Sequence, residues 1–262
     1  MHVQELLIYP VKSCAGIKVQ EALVTKYGLA LPSNPRIFDR RWMIVKDGRH
    51  QSQRFLSRMA LIQPSFVKDG LCLQAPNMPD LHISINPLPK ELMQCYFWDD
   101  PVLGLRYDDN VSHWLRTFFE MEDKLDLVVF DDQKFEGRLC KNCEVPNIAR
   151  DGDVVAYHDM SPDCWREIEV GEVKLTWITA CIRCLVPTVD PESGIKDPSQ
   201  EPWKTLRSYR LKPDTYRDKA LFGIDLAPTD ADKTRNVFGT IRVGDPIRVI
   251  KDEPNFWEKK GL

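Results

Sequence analysis

The residues best suited to chemistry lie in Ile178–Gly194, which reads I-T-A-C-I-R-C-L-V-P-T-V-D-P-E-S-G. Cys181 and Cys184 bracket Arg183, directly after a β-type run from Glu167 to Thr179. A guanidinium beside a thiol favours its ionised form, so one of these sulfurs can be a thiolate near neutral pH. A thiolate is a nucleophile or a soft metal ligand. Three other readings compete. Buried, inert cysteine is common. A structural zinc site would recruit the second Cys-x-x-Cys pair, Cys140 and Cys143, at an acceptable spacing. A redox dithiol is the third, but no βαβ pattern surrounds either pair. On spacing alone zinc wins.

Three further groups of polar residues sit where strands run out. Lys12 and Ser13 follow Q-E-L-L-I-Y-P-V, residues Gln4–Val11. The lysine can meet a phosphate as a point charge and the serine as a hydrogen-bond donor. Arg40 stands in Phe38-Asp39-Arg40-Arg41-Trp42, and Ser161 closes the run Asp153–Pro162.

The wider strings shift the balance away from zinc. A-C-x-R-C-x-x-P-T-V-D-P-x-S-G, followed by E-P-W-K-T-L-R-S-Y-R at Glu201–Arg210, resembles the MOSC-domain proteins that carry a molybdenum cofactor, the amidoxime-reducing type above all. Y-P-V-K-S-C-x-G, Tyr9–Gly16, resembles the amino-terminal region of the same family. The resemblance implies that Cys184 ligates molybdenum and is the catalytic residue. It also implies that Lys12, Ser13, Arg40, Ser161 and Arg183 contact the cofactor, molybdopterin with molybdenum. The activity implied is reduction of N-hydroxylated substrates, with electrons from a cytochrome b5 and its NADH-dependent reductase. The relatives are anchored at the cytosolic face of the mitochondrial outer membrane; as written, this chain reads as cytoplasmic.

The match departs from the family in four places. Ile37 or Phe38 stands where the family has the first arginine of R-D-R-x-W, Met160 replaces a threonine before Ser161, and Ile182 replaces a serine between the cysteines. After Pro162 the family continues with a strand, a leucine-rich helix and an F-R-P-N segment whose arginine and asparagine hold the pterin. Here Pro162 is followed at once by Asp163-Cys164-Trp165-Arg166-Glu167, so a few tens of residues are missing near 162–163. Val145-Pro146-Asn147-Ile148 imitates the lost motif in the wrong order and without the arginine. Large side chains left without cover by such a loss would cost roughly 2–5 kcal/mol each. Val154, Val155, Trp165, Ile168 and Trp177 are therefore expected to be under-covered, in a damaged barrel. Two other functions stay open: a sulfur-carrier or cofactor-delivery domain as in molybdenum-cofactor sulfurases, whose pyridoxal-phosphate desulfurase domain is absent here, and a non-catalytic or zinc-stabilised variant.

The elements that must position these residues are mostly strands. Asp47-Gly48 and Asp69-Gly70 lie between strand-like runs and signal hairpins. Lys18–Thr25, Met43–Val45, Leu81–Ile85, Leu103–Arg106 and Leu125–Phe130 read as strands, and residues 28–35 as a loop. One helix is clear: Asn110 can cap it, with Val111, Trp114, Leu115, Phe118 and Phe119 on one face. Thr240–Ile250 reads as a hairpin of the same design as Glu167–Thr179, with a glycine at the bend. The fold expected is α+β and mostly β: an amino-terminal MOSC-N-like domain over 1–122, then a MOSC-type β-barrel over 123–262. Net charge is −3 over 262 residues, which excludes the global basic field of a nucleic-acid binder. No apolar run has the length of a membrane span. Eight cysteines without a signal peptide fit a reducing compartment. There is no Gly-x-Ser-x-Gly elbow, His-Glu-x-x-His helix or Gly-x-Gly-x-x-Gly turn.

Overall fold

The computed structural model describes residues 1–135, 154–156, 162–229 and 235–254. The described chain is mostly β-strand, with a closed five-stranded barrel and three short α-helices. The barrel runs in the order Glu91–Phe97, Asp100–Arg106, Leu125–Val129, Trp42–Lys46 and Arg49–His50. It closes through a parallel pairing of Tyr96 with Arg49. Both Asp-Gly pairs make the hairpins expected of them: Val45 pairs with His50 across the first, and Val67 with Gly70 across the second.

Alternation along the barrel strands sends side chains to two places. One face carries Trp42, Ile44, Leu105, Leu125, Leu127 and Val129 into a core shared with the helix Asp109–Phe119. All five of the helix's expected face residues are buried there. The cap differs from expectation: Asp108 is the N-cap, its carboxylate accepting from the backbone N–H of Asn110 and Val111. The other face, with Val45, Cys95 and Val128 buried beside Met43, Met93 and Val102, forms a small separate cluster.

The second half is a five-stranded antiparallel sheet, ordered Val154–Ala156, Ala220–Pro228, Val173–Arg183, Trp165–Val170 and Ile247–Asp252. Its core is completed by the start of the chain. Leu6, Ile8, Ala22, Val24 and Leu29 pack with Ile168, Val170, Leu175, Trp177, Leu221 and Leu226. This corrects the expectation of under-covered surface for Ile168 and Trp177, which are buried, and for Trp165, which is half-buried; the side chains of Val154 and Val155 lie outside those described.

Two other expectations also fail. Residues 28–35 are not a loop: Gly28–Leu31 and Asn34–Phe38 are strands joined by a tight turn. Thr240–Ile250 is not a hairpin. Val237–Arg242 pairs with Glu21–Thr25, whereas Ile247–Asp252 pairs with Trp165–Val170. The glycine there separates strands bound for different sheets.

Candidate functional site

The amino-terminal site residues are assembled by a short parallel ladder. Arg40 N–H donates to the Tyr9 carbonyl (2.7 Å), Trp42 N–H to that of Pro10 (3.0 Å), and Lys12 N–H to that of Trp42 (2.8 Å). Lys12, Ser13 and Arg40 are thereby brought to neighbouring strand ends. Ser13 and Arg40 both hold left-handed backbone, φ 65° and 55°, a conformation uncommon for such residues and concentrated at functional turns. Gln53 Nε2 ties down the Ser13 carbonyl at 2.9 Å. Asp39 organises the other side: its carboxylate accepts from Tyr9 N–H (2.7 Å) and pairs with Arg40 Nε (3.0 Å). The Lys12 ammonium lies 4.7 Å from the centroid of the Phe97 ring. Arg41, next in sequence, is wholly buried and structural, bonded to the carbonyls of Phe130 and Arg36 and to Asp132.

The cysteine motif ends the long strand Val173–Arg183. Cys181 lies within this strand, and Cys184 is the first residue beyond it. Residues two apart share a strand face, so Arg183 reaches back over Cys181, and its Nη2 contacts Cys181 Sγ. The expected pairing of guanidinium and thiol therefore falls on Cys181, not Cys184. Pairing with Ala220–Pro228 is irregular here: Ala180 faces Ile224 and Ile182 faces Leu221, so Cys181 opposes both Phe222 and Gly223. Gly223 takes φ 89°, which only glycine adopts without strain. Bulges of this kind re-aim groups beside functional sites. This one turns the Phe222 carbonyl to Arg183 Nε at 2.9 Å. On the far side, the Trp203 indole N–H donates to the Arg183 carbonyl at 3.0 Å. The peptide leading into Cys184 is thus held from two directions. Cys181 and Cys184 are both partly exposed and neither is in a disulfide.

The rest of the motif joins the two halves. In V-D-P-E-S-G, the Asp190 carboxylate accepts from Ser193 Oγ (2.6 Å) and Glu192 N–H (3.0 Å), closing a tight loop. These donors hold its carboxyl below the usual range. Gly194 takes φ 67°, and a Cβ there would lie 3.1 Å from Leu61 and 3.3 Å from the Arg58 backbone. The glycine lets this loop press on the turn Ser57–Leu61, and Lys196 donates to the Arg54 carbonyl at 2.7 Å.

Tyr9 links the two groups of residues electrostatically. Burial raises its phenol above the ordinary value, Asp39 and Glu5 push the same way, and Arg40 and Arg183 oppose them. One side chain therefore feels the cation of each group. Tyr9, Asp39 and Trp203 lie inside motifs quoted above without being marked by them as functional, and Gln53 and Phe222 carry no local signal. Ser161, Val145–Ile148 and the Cys140–Cys143 pair lie outside the described residues. Among the described residues no group of three or more His, Cys, Asp or Glu could hold a metal ion. Nor is any helix among them long and apolar enough to cross a membrane.

A family profile described as the MOSC N-terminal beta barrel domain matches residues 1–122. The chain is similar to the "Mitochondrial amidoxime-reducing component 1" of Xenopus laevis, 31% identical over 94% of this chain and 81% of the relative. It is also similar to the mouse protein of that name, 30% identical over 95% and 82%. The human "Mitochondrial amidoxime reducing component 2" is 29% identical over 94% and 82%. The alignment to the Xenopus protein runs over 292 positions. Since 94% of 262 residues is about 246, about 46 of those positions have no residue from this chain.

Proposed function

The chain belongs to the family of the mitochondrial amidoxime-reducing components, and from that premise we propose that it is a molybdenum-cofactor oxidoreductase reducing N-hydroxylated substrates. In this reading residues 1–122 form the MOSC-N unit and 123–262 an internally shortened MOSC unit. The supporting observations are the ladder that brings Lys12, Ser13 and Arg40 to neighbouring strand ends, and the partly exposed Cys184 just beyond the strand Val173–Arg183.

The residues present suit the group in their donor chemistry. A partly exposed thiol just beyond a strand end, Cys184, matches a soft metal. Lys12, Ser13 and Arg40, on neighbouring strand ends, match an anionic end, with Ser161 as a further contact. Arg183, fixed by the Phe222 carbonyl, holds the end of the strand before Cys184 and places its positive charge at Cys181. When bound, the molybdenum supplies the two-electron redox chemistry, and the protein supplies placement and electrostatics. The overall reduction takes up two electrons and two protons, breaks the N–O bond and releases water. The electron source in this reading is a cytochrome b5 with its NADH-dependent reductase, and the chain works facing the cytosol.

Expression in a host that makes the cofactor tests the reading. We expect about one molybdenum per chain by elemental analysis in the wild type and none in Cys184→Ala, with both melting cooperatively. A folded, metal-free wild-type protein overturns it.

A further inference from the structure

The chain on either side of Cys184 presents apolar side chains to solvent. Ile182 pairs with Leu221 across the sheet, so it lies on the face that carries Ala180, Leu221 and Ile224 into the core of the second half. The strand ends at Arg183, where the cover runs out, and Ile182 is left 41% exposed. Leu185, on the far side of the thiol in sequence, is 37% exposed. Its backbone is fixed, the carbonyl accepting from Thr188 N–H at 3.1 Å and from Thr188 Oγ1 at 2.7 Å. Residues 184–189 read C-L-V-P-T-V, with no acidic or basic side chain. Arg183, the cation adjoining the thiol in sequence, is turned to Cys181 and the Phe222 carbonyl. Water in contact with such side chains is displaced favourably by an apolar ligand. A residue two along the chain lies at most roughly 7 Å away, so Ile182 and Leu185 are both within reach of a short group on any molecule whose polar end meets Cys184.

We propose that Ile182 and Leu185 form a lip that takes the apolar body of the N-hydroxylated substrate, so that this chain favours neutral substrates carrying an alkyl or aryl group over charged ones. The reacting head at Cys184 rests on the function proposed above; the apolar lip does not. Ile182 stands where the family resemblance implies a serine, which makes the preference a property of this chain. On an open lip about half of each methylene is covered, so each should tighten binding about twofold.

The test uses the full-length protein from the cofactor-making host and amidoximes of linear alkanes with tails of about one to five carbons, a span that reaches from Cys184 across either residue. In the wild type kcat/KM should rise about twofold per methylene. Ile182→Ser should flatten that dependence, whereas Leu92→Ser, at an exposed position of the barrel, should keep it. A second readout needs no turnover. In methyl-labelled protein the Ile182 and Leu185 resonances should move on titration with the longest amidoxime, while those of Ile250, also exposed, stay still. If Ile182→Ser melts non-cooperatively, the wild-type methyl shifts decide alone. Parallel length dependence in wild type and Ile182→Ser, or no shift at Ile182 and Leu185, overturns the inference even where every amidoxime is reduced. So does broadening of those two resonances with protein concentration alone, which would mark a second copy of the chain as the occupant. Shifts at both residues in a protein that reduces none of the series uphold the apolar lip and overturn the proposed function instead.

Discussion

At the scale of single residues, the site is built by neighbours more than by the motif itself. Arg183 adjoins Cys184 in sequence, yet strand geometry turns it to Cys181 and the Phe222 carbonyl. The motif made Cys184 visible as a candidate. It could not show the bulge at Gly223, because a bulge depends on register with a strand some forty residues away. Buried thiols give a prediction at this scale. The Cys95 thiol is raised to about 11 by burial, against an unfolded value near 8.5. The folded state then holds its proton more tightly, so the contribution to stability is complete below about pH 8.5 and is lost as pH rises toward 11. Cys14, fully buried and raised further, acts in the same direction. Wild-type protein should lose stability to urea between pH 8.5 and 11, and Cys95→Ala should lose less across that window. Parallel curves for the two proteins would refute the assignment.

Among elements, the helix Asp109–Phe119 shows which parts of the sequence reading were reliable. Its buried face follows from a 3.6-residue period that nothing local disputes. Its start was misplaced because Asp108, Asp109 and Asn110 are all acceptable caps, and only backbone geometry separates them. Asp108→Ala should cost about 1 kcal/mol, while Asn110→Ala should stay within about 0.5 kcal/mol of wild type. A larger loss for Asn110→Ala than for Asp108→Ala in denaturant melts would argue for the cap read from sequence. Residues 28–35 were misread for a related reason. Gly28, Pro32, Ser33, Asn34 and Pro35 are turn formers by composition, yet Gly28–Leu31 and Asn34–Phe38 pair across Leu31 and Asn34. Composition located the turn correctly but extended it over both flanking strands.

For the whole molecule, the mostly β class is legible because short alternating runs with Asp-Gly turns leave few other options; a barrel is implied by the family resemblance, and the closed barrel observed uses strands between Trp42 and Val129. The pairing of sequence-distant elements was not legible. Thr240–Ile250 looks like a hairpin, but its two strands belong to different sheets, and only the global fold selects between local and remote partners. The missing stretch near Pro162 was expected to bare Ile168 and Trp177; instead residues 6–29 help to cover them. The amino-terminal unit therefore lends apolar surface to the second half. Expressed alone, residues 1–135, which keep the barrel strand Leu125–Val129, should bind an apolar-surface dye strongly and aggregate, through Ala22, Val24 and the unpaired edge of Glu21–Thr25. A monomeric, cooperatively melting fragment with little dye binding would show that the unit is self-sufficient.

The pairing of Glu21–Thr25 with Val237–Arg242 also fixes a schedule for synthesis. One edge of an early strand must wait for a partner more than two hundred residues later. At about 5–20 residues per second on the ribosome, that edge stands without its ladder for roughly 10–40 s. During this interval Gly28–Leu31 can protect only the opposite edge. The charges at the strand's margins, Glu21 and Lys26, are then what the nascent chain has against pairing with another copy of itself.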